Sequence, residues 1–294
     1  MHEPVLVNEV IEFLHISSHE RYIDATVGAG GHSIEIVKRN GKLLGLDTDT
    51  TMLEIAQKRL EEACPPSDSV GWRFKLIHSN FRHIKKVATE NQFIPVSGIL
   101  FDLGVSNFHF LSDTRGFSFK FPEALLDMRL DESTQALKAS DLLNTLRPDQ
   151  LTEIFQQTMD YSSSRKTTNL VISRREIKPF VTVGDFLQIA STGKVGKVHP
   201  ATKAFLALRM AVNSEMENIE EGILGAVDLL DTKGRVCVIT FHSLEDRKVK
   251  QVFEKLSSEK NLQIVTKKPI EPSEIEISRN PKARSAKLRV IEKI

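Results

Sequence analysis

Residues 22–33 join a short apolar run to a glycine-rich turn, Tyr22-Ile-Asp-Ala-Thr-Val-Gly-Ala-Gly-Gly-His-Ser33. The first five residues are typical of a strand, and a helix-like stretch begins at His32. Glycines at such a turn let the backbone approach a ligand closely, and free N–H groups at a helix start favour an anionic group. The turn departs from the dinucleotide pattern G-x-G-x-x-G at Ser33, and no Gly-Lys-Ser/Thr follows, which excludes a P-loop. A tight turn without a ligand is the alternative.

The same alternation of apolar runs and helix-forming stretches continues through the first hundred residues. Further strands are predicted at 42–47, 73–77 and 98–102, and helices at 32–39, 52–63 and 81–91. Such a series predicts a parallel sheet. Strand character returns at 235–241, 262–265 and 286–291, whereas the region between offers helical windows at 140–146, 148–158 and 183–190.

The chain is therefore predicted to be an α/β protein with a Rossmann-like open sheet in a discontinuous domain, residues 1–106 and 203–294. A mostly helical inserted domain, residues 107–202, interrupts the sheet after its fourth strand. Apolar residues recur at three- and four-residue steps from Phe205 to Leu230. This period predicts one long returning helix that ends at Gly234.

Composition excludes several classes of protein. The 294 residues include 40 Lys and Arg against 39 Asp and Glu, and 40% are hydrophobic, which excludes a disordered chain. Glycine does not recur at every third position, and no run of about 18 apolar residues occurs, so collagen-like and membrane-spanning chains are also excluded. Two cysteines without a C-x-x-C pair predict neither a disulfide framework nor a zinc knuckle, and Cys237 is expected in the core. Acidic residues before the first arginine are not typical of a secretory signal peptide or of a transit peptide, so we expect a cytoplasmic protein. No histidine spacing predicts a metal site.

Positive charge is concentrated in two segments of this nearly neutral chain. Residues 161–203 carry a net +6 and residues 267–294 a net +4. Solvated helix faces and a charged tail are one interpretation. A surface that contacts phosphates is the other.

Side chains at the ends of the predicted strands indicate a nucleoside cofactor. Asp47 ends the second strand, where a carboxylate can accept hydrogen bonds from both ribose hydroxyls, although it could instead cap the next helix. Phe81 follows the third strand and could stack on adenine or lie in the core. The defective dinucleotide pattern favours S-adenosylmethionine over NAD. Asp102 ends the fourth strand, where it could hold a target amine or the amino group of the cofactor.

Longer strings are more specific than the glycine turn. They include Arg115-Gly-Phe-Ser-Phe119, Leu126-Asp-Met-Arg-Leu-Asp131, Phe241-His-Ser-Leu-Glu-Asp-Arg247 and the run from Asn280 to Arg289. These strings resemble the ribosomal RNA small subunit methyltransferase H family, and so do residues 2–6, 24–33, 102–106, 199–202, 207–209 and 212–213. The resemblance extends nearly from end to end of the chain, with the motifs in the same order.

This resemblance implies N4-methylation of a cytidine in the decoding region of 16S rRNA, within the small ribosomal subunit. It also implies a class I S-adenosylmethionine-dependent methyltransferase fold. Carried over by position, the cofactor contacts fall on Gly30, Gly31, His32, Asp47, Phe81, Asp102 and His109. A homodimer is left open.

Roles in catalysis and RNA binding are predicted from the positions of residues in the predicted elements and from the distribution of charge. Asp102 and His242 are the candidate catalytic residues. For Ser243 and Asp246, capping of the next helix is the alternative, and Arg247 could pair with Glu245 or Asp246. The last strand is expected to bury Leu288 and Val290 and to present its basic residues. The candidate substrate-binding residues are Arg174, Arg175, Arg209, Asn213, Arg247, Lys287 and Arg289.

Departures from the family pattern occur mainly in the predicted insertion. They are Asn107, His109 in place of a glutamine, Leu126, and Asp160 to Ser163. They affect how RNA would be held more than how the cofactor would be bound. Two other functions remain as alternatives: an NAD-dependent oxidoreductase, and a non-catalytic ribosome-assembly factor with a relic cofactor pocket.

Overall fold

The computed structural model describes residues 4–64, 73–105, 113–190 and 199–294, which belong to two compact units. The sheet unit comprises Met1–Gly104 and Met216–Ile294, and the inserted unit comprises Val105–Glu215.

Seven strands form one sheet in the order β3-β2-β1-β4-β5-β7-β6. The first five strands pair in parallel, and β7 is antiparallel to both β5 and β6. The predicted open α/β sheet is therefore confirmed. The strands are β1 Arg21–Asp24, β2 Lys42–Asp47, β3 Phe74–His78, β4 Val96–Asp102, β5 Leu230–Thr240, β6 Leu262–Ile264 and β7 Lys287–Lys293.

Helices connect the strands and build the inserted unit. In chain order they are α1 Val7–Leu14, α2 Gly31–Lys38, α3 Thr50–Ala63, α4 Ile84–Glu90, α5 Ala139–Thr145, α6 Pro148–Gln156, α7 Tyr161–Ile177, α8 Val183–Ala190, α9 Thr202–Asn213, α10 Glu215–Leu229, α11 Ser243–Glu259 and α12 Glu274–Arg279. Across the described ranges, none of them is both apolar enough and long enough to cross a bilayer.

The sheet separates two hydrophobic cores. Alternate residues of a strand enter opposite cores, as in β4, where Ile99 and Phe101 face one side and Leu100 the other. Burial on both faces explains why these strands are nearly continuous apolar runs in the sequence. Cys237 is fully buried, as predicted, and burial raises the pKa of its thiol to about 12.

The predicted single helix from 205 to 230 is wrong. Ser214 adopts a left-handed conformation, with φ 48°, between α9 and α10. The buried side of α9 includes Phe205 and Leu208, which belong to the core of the inserted unit. The second boundary therefore lies at 216 instead of 203. Gly234 lies within β5 and ends no helix.

Aromatic rings dominate the core of the inserted unit. The Phe186 ring is fully buried, and its centroid lies 5.0 Å from that of Phe205, 6.2 Å from Phe180 and 6.3 Å from Phe155. Rings at these separations attract one another beyond the burial of their area. Phe186 is therefore the centre of this core.

Truncation of Phe186 tests this arrangement. We expect Phe186→Ala to lower the free energy of unfolding by about 3–5 kcal/mol, because it leaves a cavity among three rings. Ile177→Ala is the control, since that side chain is 85% exposed and its loss should change the free energy by about 0.5 kcal/mol or less. Urea unfolding followed by circular dichroism measures both. Equal stability of the two variants would contradict this description of the core.

Candidate active site

Three carboxylates lie at the carboxyl ends of neighbouring parallel strands. Asp24 ends β1, Asp47 ends β2 and Asp102 ends β4. The strand order reverses direction between β1 and β4, and ligands of open α/β sheets bind outside the strand ends at such a point. The topology therefore brings together Asp47 and Asp102, which the sequence analysis selected separately.

Asp47 ties the end of β2 to the glycine turn. Its Oδ2 accepts a hydrogen bond from the Gly28 N–H at 2.7 Å, and its Oδ1 accepts one from the Asp49 N–H at 2.9 Å. A carboxylate can accept several hydrogen bonds, so the chemistry of Asp47 also suits ribose hydroxyls. The alternative that Asp47 caps the next helix is wrong, because Asp49 is the N-cap of α3.

The three glycines of the turn have different surroundings. Gly30, with φ 80°, is the N-cap of α2, and a Cβ there would lie 3.3 Å from the Ala56 Cβ. A Cβ on Gly31 would lie 3.0 Å from the Pro4 Cβ. A Cβ on Gly28 would meet no described atom within 4 Å. Close packing thus favours glycine at positions 30 and 31, whereas the space next to Gly28 is open, and contact of Gly30 and Gly31 with a cofactor stays a prediction.

Asp24 is a buried acid that Ser33 supports. The Ser33 hydroxyl donates to Asp24 Oδ2 at 2.6 Å, and the Thr26 N–H donates to Oδ1 at 3.2 Å. Burial raises the pKa of Asp24 to about 6, although both hydrogen bonds oppose this shift. Ser33, at the position of the missing glycine, therefore stabilises the acid at the end of β1.

Asp102 has a buried oxygen that lacks a hydrogen-bond partner among the described residues. This atom is Oδ1, and the side chain as a whole is 26% exposed. Burial, together with the smaller effects of the charges of Asp24 and Glu245, raises the pKa of Asp102 to about 8. A buried polar atom without a partner is costly, so this site fits a ligand that brings a hydrogen-bond donor or a positive charge.

His32 forms a hydrogen bond to the segment that precedes α1. Its ring is 5% exposed, and Nε2 lies 3.0 Å from the Val5 carbonyl, which requires Nε2 to be the donor. Burial lowers the pKa of His32 to about 4, so the ring is neutral at pH 7. Nδ1 lies 3.6 Å from Asp102 Oδ2, which is too long for a hydrogen bond. His32 thus borders the site, and its contact with a cofactor stays a prediction.

Phe81 packs mainly against the core. Its ring meets that of Phe101 edge-on at 5.6 Å, and a Cβ on Gly222 would lie 2.7 Å from Phe81 Cδ2. The ring is only partly buried. The core interpretation therefore holds for one side of Phe81, and stacking on adenine stays a prediction for the other.

His242 and Glu245 form the capping arrangement at the start of α11. His242 is the N-cap, and its Nδ1 accepts a hydrogen bond from the Glu245 N–H at 3.4 Å. Glu245 Oε2 accepts from the N–H groups of Phe241 and His242 at 2.7 and 3.3 Å. Capping by Ser243 and Asp246 is therefore wrong. Sequence reasoning missed Glu245, although an acid three residues after an N-cap is a known signal.

Arg289 faces inward and is not presented to solvent. It is 7% exposed and forms two hydrogen bonds to Asp246, at 2.7 and 3.1 Å. The Lys287 Nζ lies 3.8 Å from the same carboxylate. The expected exposure of Arg289 and the expected pairing of Arg247 with Asp246 are wrong, because Arg289 occupies that acid. Arg247 itself is exposed.

Two predicted RNA-binding arginines have structural roles in the inserted unit. Arg174 pairs with Asp185 at 3.3 Å and donates to the Lys178 carbonyl at 2.7 Å. Arg175 donates to the carbonyls of Leu143 and Leu146, at the end of α5, at 2.9 and 2.8 Å. These bonds use part of the donor capacity of each guanidinium group, and contact of Arg174 and Arg175 with RNA stays a prediction.

Arg209 and Asn213 also have partners within the inserted unit. Arg209 forms two hydrogen bonds to Glu215, at 2.7 and 3.0 Å. Asn213 is 5% exposed; its amide donates to the Met128 carbonyl and accepts from the Leu130 N–H. Their contact with RNA stays a prediction. Asn107 and His109 lie outside the described residues.

Comparisons with known proteins extend over the whole chain. A model of the MraW methylase family matches residues 1–294. The ribosomal RNA small subunit methyltransferase H of Sulfurihydrogenibium sp. is 43% identical over 100% of this chain and 99% of its own length. The protein of the same name from Clostridioides difficile is 38% identical over 100% and 99%. A solved rRNA methylase from Streptococcus thermophilus aligns over 100% and 99% at 11% identity, with a TM-score of 0.45. The family match and the two relatives lead to one conclusion: the chain belongs to the MraW methylase family.

Proposed function

We propose that this S-adenosylmethionine-dependent methylase transfers a methyl group to N4 of a cytidine in the decoding region of small-subunit rRNA. The observation that carries the proposal is the buried Oδ1 of Asp102, which has no hydrogen-bond partner among the described residues and lies at the point where the strand order reverses. Relatives named for small-subunit rRNA, which match the full chain, support the substrate class.

The residues at the strand ends suit S-adenosylmethionine. Asp47 has lone pairs for the ribose hydroxyls, and the space over Gly28 admits the ligand next to the backbone. Asp24 and Asp102 can each carry a negative charge opposite a cationic donor, and binding of that donor favours their ionised forms. When bound, the cofactor supplies a methyl group on a positively charged sulfur.

Asp102 orients the target amine and receives its proton. The lone pair of the cytosine amine is delocalised into the ring, and an N–H hydrogen bond to the carboxylate of Asp102 turns that lone pair toward the methyl carbon. The amine nitrogen would become strongly acidic on accepting the methyl group that the cofactor would supply. Its proton passes to Asp102, whose raised pKa makes it an adequate acceptor near neutral pH. Positioning contributes most of the acceleration.

Glu245, on the buried face of α11, affects the protonation of Asp102. Glu245 is 2% exposed and holds the backbone of Phe241 and His242. Its charge contributes to the raised pKa of Asp102. The hydrogen bond of the helix cap holds the His242 ring in place. We propose that this ring forms part of the surface that receives the cytosine and that it contacts the base directly.

Membership in a methylase family favours methyl transfer over the NAD-dependent oxidoreductase. The relic assembly factor differs from the enzyme only in turnover. Methyl transfer to purified small subunits and to 16S rRNA transcript, followed by mass mapping of the product, separates these functions. An N4-methylcytidine in the decoding region is expected. Absence of transfer to both substrates, with intact cofactor binding, would favour the assembly factor.

Replacement of Asp47 tests the ribose contact. We expect Asp47→Ala to weaken S-adenosylmethionine binding at least about tenfold, because it removes two hydrogen-bond acceptors and loosens the turn at Gly28. The control is Asp231→Ala, which removes an exposed acid from β5. Calorimetry measures both dissociation constants. Equal affinities would contradict the proposed role of Asp47.

The pH dependence of cofactor binding tests Asp102. Its pKa of about 8 means that the carboxyl group is protonated below that pH, so binding of a cation must release the proton. Affinity should therefore rise from pH 6 to pH 8, by at most about tenfold per unit, and then level off. Asp102→Asn should abolish this slope. Calorimetry in buffers of different ionisation enthalpy measures the released proton; an unchanged slope in the variant would assign it to another group.

A further inference from the structure

One exposed face of α7 carries a line of polar, basic and aromatic side chains. Tyr161, Arg165, Asn169 and Ser173 recur every four residues, and Lys166 lies beside Arg165. We call these five residues the α7 stripe. They line a shallow hollow of about 520 Å³, and all five are exposed. With a rise of about 1.5 Å per residue, the stripe is about 18 Å long.

The opposite face of α7 packs into the inserted unit. Ser164, Thr168 and Val171 are buried there. Further along the helix, Arg174 and Arg175 are held by acids and carbonyls of the same unit. The stripe is therefore the side of the helix that is available to a partner.

In the part of the chain that the structure describes, no acid pairs with the cations of the stripe. Residues 161–175 contain no Asp or Glu. Within the described ranges, Arg165 and Lys166 form no ion pair. Asp160 precedes the stripe, but its carboxylate accepts hydrogen bonds from the backbone and hydroxyl of Ser163. The stripe thus presents two cations to solvent.

Tyr161 adds an aromatic surface to this charge. The ring is 58% exposed, and the Arg165 guanidinium lies 5.7 Å from its centroid. Such a pair holds the guanidinium in place and keeps its N–H donors available for phosphate. Proteins that bind single-stranded nucleic acids combine phosphate-contacting cations with exposed rings on which bases stack. Asn169 adds amide donors and acceptors along the same line.

We propose that the α7 stripe binds a single-stranded segment of the RNA substrate, with Arg165 and Lys166 on phosphates and Tyr161 stacked on a base. This inference rests on the proposed function, because that function supplies the RNA. It concerns another face of the helix that carries Arg174 and Arg175.

Salt-dependent binding tests the two cations. Arg165→Ala/Lys166→Ala is compared with Lys42→Ala/Lys86→Ala, which removes the same charge from exposed positions of the sheet unit. The probe is 16S rRNA transcript in a filter-binding assay. Loss of two phosphate contacts should lower the slope of log K against log salt by about 1.4 and weaken binding roughly 20-fold at 0.1 M salt. The control pair should retain the wild-type slope.

Variants of Tyr161 test stacking separately from charge. Tyr161→Ala should weaken binding about fivefold or more and leave the salt slope unchanged, whereas Tyr161→Phe should retain affinity, since a phenyl ring also stacks. All stripe variants alter exposed side chains, so their Tm should stay within about 2 °C of the wild type. Their affinity for S-adenosylmethionine should also be unchanged.

Three results would overturn the proposal. The first is wild-type affinity for the transcript in the Arg165→Ala/Lys166→Ala variant or in the Tyr161→Ala variant. The second is normal binding to the transcript with weakened binding to intact small subunits, which would assign the stripe to a ribosomal protein. The third is an equal loss in the control pair, which would indicate a general charge effect. Failure of the wild type to transfer methyl groups would refute the proposed function, while the binding assay would still decide the role of the stripe.

Discussion

Parallel pairing of β1 with both β2 and β4 is the constraint on which the site depends. It places the ends of three strands at one edge, so that Asp24, Asp47 and Asp102 converge although up to 78 residues separate them. The hydrogen bond from the Gly28 N–H to Asp47 then fixes the glycine turn against β2. Without that register the acids would lie at different depths, and no common ligand could reach them.

Burial gives these acids their chemistry. Asp24, Asp102 and Glu245 lie close enough for like charges to interact, and burial raises the pKa of both aspartates. A site of this kind is poorly satisfied when empty, because neutralising it requires protons or a cation. The same property prepares it for a positively charged methyl donor and for an amine that becomes acidic during the reaction.

Basic residues illustrate why charge counts alone cannot locate an interface. Arg174, Arg175 and Arg289 stand in the basic segments of the sequence, yet each is held by carbonyls or acids of its own unit. Arg165 and Lys166 stand in the same segments and face solvent. A guanidinium group has five hydrogen-bond donors, which can bond to acceptors within the protein or to a phosphate of a partner. The positions of the surrounding acceptors decide which of these two roles an arginine has.

The open α/β sheet, its strands to within a few residues, the family, and Asp47 and Asp102 at the strand ends could all be predicted from the sequence alone. These features depend on local periodicity and on strings of residues that do not change with tertiary context. The tertiary structure alone decided the break of the long helix at Ser214, the boundary at 216, the cap formed by His242 and Glu245, and the inward turn of Arg289. These features depend on contacts between groups that are far apart in the sequence, or on the backbone conformation of a single residue. A repeating pattern in the sequence encodes neither of these two things.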